Sequence, residues 1–447
     1  MLDLAIRHGT VVTATDTFAA DVGVQDGTIV ELGHSGPARE EIDATELLVL
    51  PGGVDVHTHL STVEDFESGT MAAACGGVTT VVDYARQLPG ASLAATIDDW
   101  QARARDRALI DYSFHLIVTE PTPATLDEIP RIVEAGFPSF KIFMMRHTDL
   151  GILQIMRAAG NNGGLSMVHC ENAAIDEDAY LRLLSAGDAS ARFWTTARPI
   201  AGEAEATNRA IDYAEYAAAP IYIVHVSSAR SLDRIRAGKA RYPRLWAETR
   251  PCYLLLTSER YAEPDPAYLK YTGYPPLREQ SDVDAVWAGL RDGVLDTVGS
   301  DHAAWTVEQK SRASHDLNQL PVGLPGIEVQ TRAVFSEGVS KGRISAQRFV
   351  QVMATEPARL LGLSPRKGAI AVGADADILL LDPRRQAMVR FAELHSQCGY
   401  EPCEGLECVG WPVLTLSRGE VIARDAQPAA AARPGRGQLM RRARFAG

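Results

Sequence analysis

Between Pro51 and Leu363 short β-rich runs alternate with helical patterns, and this alternation constrains the fold more than any other feature of the chain. TTVVDYA precedes LAATIDDWQARAR, DYSFHLIV precedes LDEIPRIVEA, and SFKIFMM precedes LGILQIMRAA. LSMVHCEN, IYIVHVSS, LWAETRPCYLLL and LDTVGSDH continue the series, with helical stretches such as Glu203 to Ala219 and Val283 to Arg291 between them. Parallel strands need long crossovers, usually helices, so the series predicts a parallel sheet. The number of units predicts an α/β fold closed into a (β/α)₈ TIM-like barrel.

The flanks have a different texture. Leu2 to Val12 and Val22 to Val30 are β-rich, with Gln25-Asp26-Gly27 as a hairpin turn inside the second. Lys367 to Asp382 and Pro412 to Ala423 are also strand-like and turn-punctuated. The two ends are expected to meet in one small β-sandwich domain, which divides the chain into 1–50, a barrel over 51–364, and 365–447 with a tail. The tail from Gln427 holds five Arg and no acid between Arg433 and Gly447. It reads as a partly mobile, solvated or subunit-contacting end, the other reading being an anionic partner.

Charge and cysteine usage exclude several classes. Lys plus Arg is 44 against 57 Asp plus Glu, a net charge of −13 that repels phosphate backbones and excludes a nucleic-acid binder. No apolar run approaches the ~18 residues of a membrane span, and MLDLAIRHGT lacks the basic-then-apolar pattern of a secretory leader. A cytoplasmic protein with no membrane partner is expected. Of the six Cys, Cys398, Cys403 and Cys408 lie five apart and lack the close pairs of structural zinc, so unpaired thiols in a reducing compartment are expected.

His57-Thr58-His59 follows Pro51-Gly52-Gly53-Val54-Asp55. In a strand, residues i and i+2 share a face, so both imidazoles enter the barrel lumen as half of a metal site that needs partners. In Ser139 to Met145, period 2 turns Phe140, Ile142 and Met144 to the helices and Lys141 to the lumen. Desolvation lowers a Lys pKa by up to ~3–5 units. A neutral amine captures CO₂ as a carbamate, an anionic bidentate ligand able to bridge two metal ions; the other reading is a Lys paired with a lumen carboxylate. His169, His225 and Asp301 each follow apolar residues and precede small or polar ones, as at a strand's C-terminal end, where barrel active sites form. Singly, each His also reads as a core residue. Together, four His, a buried Lys and an Asp at successive strand ends read as one site.

PGGVDVHTHL, SFKIFMM, MVHCEN, IYIVHVSS and TVGSDH, in this order, resemble the dihydropyrimidinase/D-hydantoinase family of cyclic amidohydrolases. The match continues through PPLR, GLPGIE, PRKGAIAVGADAD and SRGEVI, covering essentially the whole chain. The resemblance implies two Zn²⁺ ions held by His57, His59, His169, His225 and Asp301 and bridged by N6-carboxylated Lys141. It implies hydrolytic opening of a small cyclic amide, imide or ureide by a hydroxide held between the ions, with Asp301 as the catalytic proton acceptor and donor. It also implies a homotetramer. His302 reads either as an orienting neighbour or as a structural partner.

The substrate-facing positions depart from the family pattern. The family's usual Tyr oxyanion donor is replaced by Arg146, its usual Ser before PPLR by Tyr274, and its usual Asn before GLPGIE by Val322. Main-chain contacts at Tyr274 and Val322 can survive substitution. Arg146 reads as an oxyanion donor or a fork for a substrate carboxylate, or else as a rim Arg turned toward a surface acid. Ser61 stands where dihydroorotases carry an Arg for the substrate carboxylate. Trp194, Trp305, Phe66 and Tyr84 read as pocket walls or as ordinary packing. Two further readings follow. One is an amidohydrolase for an anionic ring, such as a carboxyalkyl hydantoin or a dihydroorotate-like substrate. The other is a non-enzymatic relative of dihydropyrimidinase, against which the six filled ligand positions count.

Overall fold

The computed structural model describes residues 1–188 and 190–445. Eight parallel strands hydrogen-bond in chain order: Gly53–Thr58, Val78–Arg86, Asp111–Ile117, Ser139–Phe143, Leu165–His169, Ile221–Ile223, Leu245–Thr249 and Thr297–Val298. Helices cross between them, and their starts are set by side-chain oxygens that accept from free backbone N–H groups: Asp65, Ser92, Thr122, Thr148, Asn172 and Ser228. The expected barrel is present. Its last seam, between the eighth and first strands, is made largely by side chains. Buried Asp55 accepts from Ser300 N at 3.0 Å and Gln330 Nε2 at 2.9 Å, Ser300 Oγ donates to His57 O at 3.1 Å, and His59 N donates to His302 O at 2.9 Å.

Strand alternation sorts the core into two shells. Val81, Phe114, Phe140, Ile142, Ile221 and Ile223 pack outward among the helices. Val54, Val56, Val82, Tyr84, Met167, Tyr222 and Trp246 fill the lumen.

The two chain ends build one nine-stranded sheet, joined where Leu48–Pro51 pairs antiparallel with Ile378–Leu381. The sheet curls over a single apolar cluster in which Val22 and Val24 meet Leu414 and Leu416, so the expected sandwich is one continuous sheet. Asp26 and Gly27 turn its second hairpin, between Thr17–Gln25 and Thr28–Gly33, with φ of 51° and 73°, the left-handed pair that matches strand twist.

Two expectations are corrected. Lys367 to Asp377 is not strand; regular pairing begins at Ile378. Buried Lys367 bends this segment because its Nζ reaches Asp111 and Asp377 at 2.6 Å each and Asp375 at 2.8 Å. Since Asp111 opens the third barrel strand, this ion cluster ties sheet to barrel.

The Arg-rich tail is a solvated end only in part: Arg433, Arg441 and Arg444 are exposed, but Arg436 and Arg442 are buried. It runs beneath the barrel, with Met440 N donating to Tyr112 O at 2.7 Å, Arg442 N to Gly136 O at 2.9 Å and Phe445 N to Gly163 O at 2.8 Å. Met440 joins the lumen cluster, and Phe445 stands edge-on to Trp246 with ring centroids 5.0 Å apart. Arg442 is 4% exposed and donates to Ser113 Oγ at 3.0 Å, Ser139 Oγ at 2.6 Å and the Phe114 carbonyl. These interior partners draw the tail onto the barrel floor. No helix among the described residues is long and apolar enough to cross a membrane. All six Cys are free and buried.

Replacing Lys367 with Met would leave buried Asp377 without its cation and would take one of two cations from Asp111 and Asp375, which keep Arg418 and Arg366. Removing one partner of a buried pair costs about 3–5 kcal/mol, so the urea midpoint of Lys367→Met is expected to drop by a corresponding amount. An unchanged midpoint would contradict this.

Candidate active site

The six proposed ligands come from five strands and converge on one cavity of about 490 Å³ at the strands' C-terminal ends. The first strand presents His57 and, just beyond its end, His59; the fourth presents Lys141, the fifth His169. His225 and Asp301 follow the sixth and eighth strands in left-handed backbone, at φ of 40° and 46°. Such conformations cost of order 1–3 kcal/mol and persist only where the surroundings impose them. At His225 the surroundings include Glu248, which accepts from the His225 N–H at 3.2 Å.

Asp301 Oδ1 lies 3.1 Å from His57 Nε2 and 3.3 Å from His59 Nε2, and Lys141 Nζ lies 3.4 Å from His57 Nε2. The His169 and His225 rings are 4.5 Å apart, and His225 is 5.5 Å from His57. Buried His225 Nδ1 has no hydrogen-bond partner. Converging imidazole and carboxylate donors, one with an unsatisfied ring nitrogen, suit a divalent first-row metal.

Burial favours the neutral form of every imidazole here and prevails at all except His57, whose ring the Glu248 and Asp301 carboxylates raise in spite of it. It pulls the His59 imidazole down to about 4, His225 well below the ordinary histidine range, and His169 down despite the opposing pull of Glu171. Neutral imidazoles ligate without first losing a proton. Burial also brings Lys141 down to about 8. For Asp301 burial opposes ionisation, but the Arg250 guanidinium at 2.8 Å holds its carboxyl well below the usual range.

The orienting groups were not anticipated from sequence. Glu248 Oε1 sits 2.7 Å from His57 Nδ1, which leaves Nε2 facing the cavity, and its other oxygen accepts from Tyr222 OH at 3.0 Å. Glu171 Oε2 sits 2.6 Å from His169 Nε2, leaving Nδ1 as the free ring nitrogen. Such carboxylate–imidazole pairs fix tautomer and ring angle. The signal for Glu248 was available: period 2 along Leu245–Thr249 puts Glu248 on the lumen face, as it does Lys141. Tyr84 underlies the site, 4.6 Å from the His57 ring and 5.0 Å from the His59 ring, with Lys141 Nζ 4.7 Å from its centroid.

Arg146, Tyr274 and Val322 line the same cavity. The strand expected to run through Met145 ends at Phe143, and Arg146 closes a 3₁₀ turn. Its side chain is exposed at the mouth, 5.9 Å from the Phe143 ring. It forms no ion pair among the described residues. Tyr274 lies 4.0 Å from the Arg198 guanidinium and 5.3 Å from Trp194. Trp305 and Tyr84 line the cavity, Trp194 backs Tyr274, and Phe66 is core packing against Phe114. His302 Nδ1 accepts from Gly326 N at 3.2 Å, which makes it a structural partner.

The amidohydrolase family model matches residues 205–422. D-hydantoinase of Ralstonia pickettii is 41% identical over 94% of this chain and 95% of its own, and D-phenylhydantoinase of Escherichia coli is 40% identical over 98% of each. The chain belongs to the hydantoinase/dihydropyrimidinase family of cyclic amidohydrolases. The crystal structure of dihydropyrimidinase from Brevibacillus agri NCHU1002, another similar protein, matches with a TM-score of 0.96 at 37% identity, covering 100% of both chains. In this family frame, the two carboxylates behind the imidazoles are expected to govern metal retention.

Glu248→Ala frees the His57 ring, and metal affinity is expected to fall by about 10–100-fold, read by competition with a chelator. Glu248→Gln keeps an acceptor and is expected to lose less; full retention in both variants would count against the role.

Proposed function

We propose that this family member opens hydantoin or dihydropyrimidine rings using two Zn²⁺ ions, held by His57, His59, His169, His225 and Asp301 and bridged by N6-carboxylated Lys141. The observation carrying this reading is the convergence of these side chains on one cavity, with Lys141 buried and in no ion pair among the described residues. Lys141 paired with a lumen carboxylate is thereby disfavoured. The relatives matched are hydantoinases and a phenylhydantoinase, which favours a hydantoin over a dedicated anionic ring and over a non-enzymatic scaffold.

Bound cations supply an acidified water and polarise the ring carbonyl. The chain's own residues do the rest. Asp301, with Oδ2 on Arg250 and Oδ1 beside His57 and His59, is the carboxylate that takes a proton and returns it to the leaving ring nitrogen. The ionisation that Arg250 enforces keeps this carboxylate ready as an acceptor. The main chain at Tyr274 and Val322 meets the ring amide, and the wall of Tyr84, Phe143 and Trp305 limits water beside it. Arg146 stands at the mouth with Arg86, which is lowered by burial and by Arg146 itself, and the two face the ring's exocyclic substituent. The homotetramer implied by the family and residence in the cytoplasm, which six buried free thiols suit, belong to the same proposal.

Chelation is expected to abolish ring opening, and zinc with bicarbonate to restore it; Lys141→Ala is expected to lose both metal and turnover. Failure to open hydantoin, dihydrouracil, allantoin or a simple cyclic imide with zinc and bicarbonate supplied would overturn the proposal. Arg146→Ala is expected to raise KM for a carboxymethylhydantoin more than for hydantoin, and unchanged kinetics on both would remove Arg146 from substrate recognition.

A further inference from the structure

Lys310 lies in the short helix Val307–Ser311 and is 0% exposed. Its ammonium forms no ion pair among the described residues, and burial draws it down to about 7. Nζ donates instead to three backbone carbonyls: Leu269 at 3.1 Å, Thr272 at 3.2 Å and Gly323 at 2.7 Å. All three ammonium hydrogens are used. Gly323 N also donates to Thr272 O at 3.1 Å, and Ala303 N to Leu324 O at 3.0 Å. Lys310 thus joins two stretches far apart in sequence, one leading into Tyr274 and the other starting at Val322. Both of those residues line the cavity, whereas Lys310 does not.

Burying a cation without a carboxylate is costly, and an apolar side chain of similar size would fill the space without that cost. What an apolar residue cannot do is hold both main-chain segments to one point. The docking leaves little slack: Gly323 has φ of 146°, and a Cβ there would stand 2.3 Å from Ala303 O.

We infer that Lys310 is a positioning residue of the substrate pocket, fixing the main chain at Thr272–Tyr274 and Val322–Gly323 so that both meet the ring amide in one geometry. This rests on the ring-opening function proposed above. Because Lys310 touches no proposed metal ligand, its loss loosens ring binding and leaves metal content intact.

The test is steady-state kinetics on hydantoin and dihydrouracil with zinc-loaded wild type, Lys310→Met and Lys310→Gln, with metal content measured alongside. Lys310→Met is expected to raise KM about 10-fold, the equivalent of ~1.4 kcal/mol of lost positioning, with kcat falling less than KM rises. Lys310→Gln, which keeps two N–H donors, is expected to recover part of the loss. General destabilisation would instead lower apparent kcat with the active fraction and leave KM in place. Unchanged KM in both variants overturns the inference while the ring-opening function stands. Failure of both variants to fold assigns Lys310 to the fold and overturns it too. A wild type that opens no ring overturns both proposals together.

Discussion

Buried carboxylates facing buried nitrogens organise the interior of this barrel. Glu248 holds His57, Glu171 holds His169, and Arg250 holds Asp301, each at 2.6–2.8 Å. A charge taken out of water is tolerated only where a partner compensates it, so each of these side chains is restricted to one place and one orientation. The cavity-facing nitrogens and the Asp301 oxygen are thereby aimed before any metal or substrate arrives, the form of preorganisation from which catalytic sites gain most.

The same constraint runs down the barrel axis. Below the imidazoles lie Tyr84 and His115, whose rings are 4.6 Å apart. His115 Nδ1 is 2.6 Å from Ser139 Oγ and its Nε2 is 3.0 Å from Val56 O, which links the strand carrying Lys141 to the strand carrying His57. Arg442 of the tail reaches the same Ser139 from beneath. The floor is thus satisfied by hydrogen bonds and closed by Met440 and Phe445, while the mouth carries Arg86 and Arg146. The net charge of −13 therefore says nothing about the local field at the cavity.

Much of this was legible in the chain. Period 2 placed Lys141 in the lumen with Phe140 and Ile142 outside, and the H-x-H pair, His169, His225 and Asp301 all reach one cavity. The regular alternation made this possible, since local periodicity reports which face a side chain takes. The failures share a different cause. Lys367 to Asp377 carries a strand-like composition, but its lysine is recruited by an aspartate that precedes it by 256 residues. The five tail arginines look like a solvated run because nothing nearby in sequence signals that Arg442 has an interior socket. Glu248 and Arg250 sit at inward positions and were open to the same reasoning as Lys141, yet only contact distances give their partners.

The sequence by itself determined the barrel, the sheet built from both ends, and the set of side chains delivered to the C-terminal rim, because these follow from periodicity and residue chemistry along short stretches. Tertiary structure alone decided which carboxylate orients which imidazole, that the tail seals the floor, and that Lys310 pins two distant loops at the pocket. Those outcomes depend on satisfying buried charge and backbone groups across long sequence separations. Their energy is set by distance and burial, which no local pattern encodes.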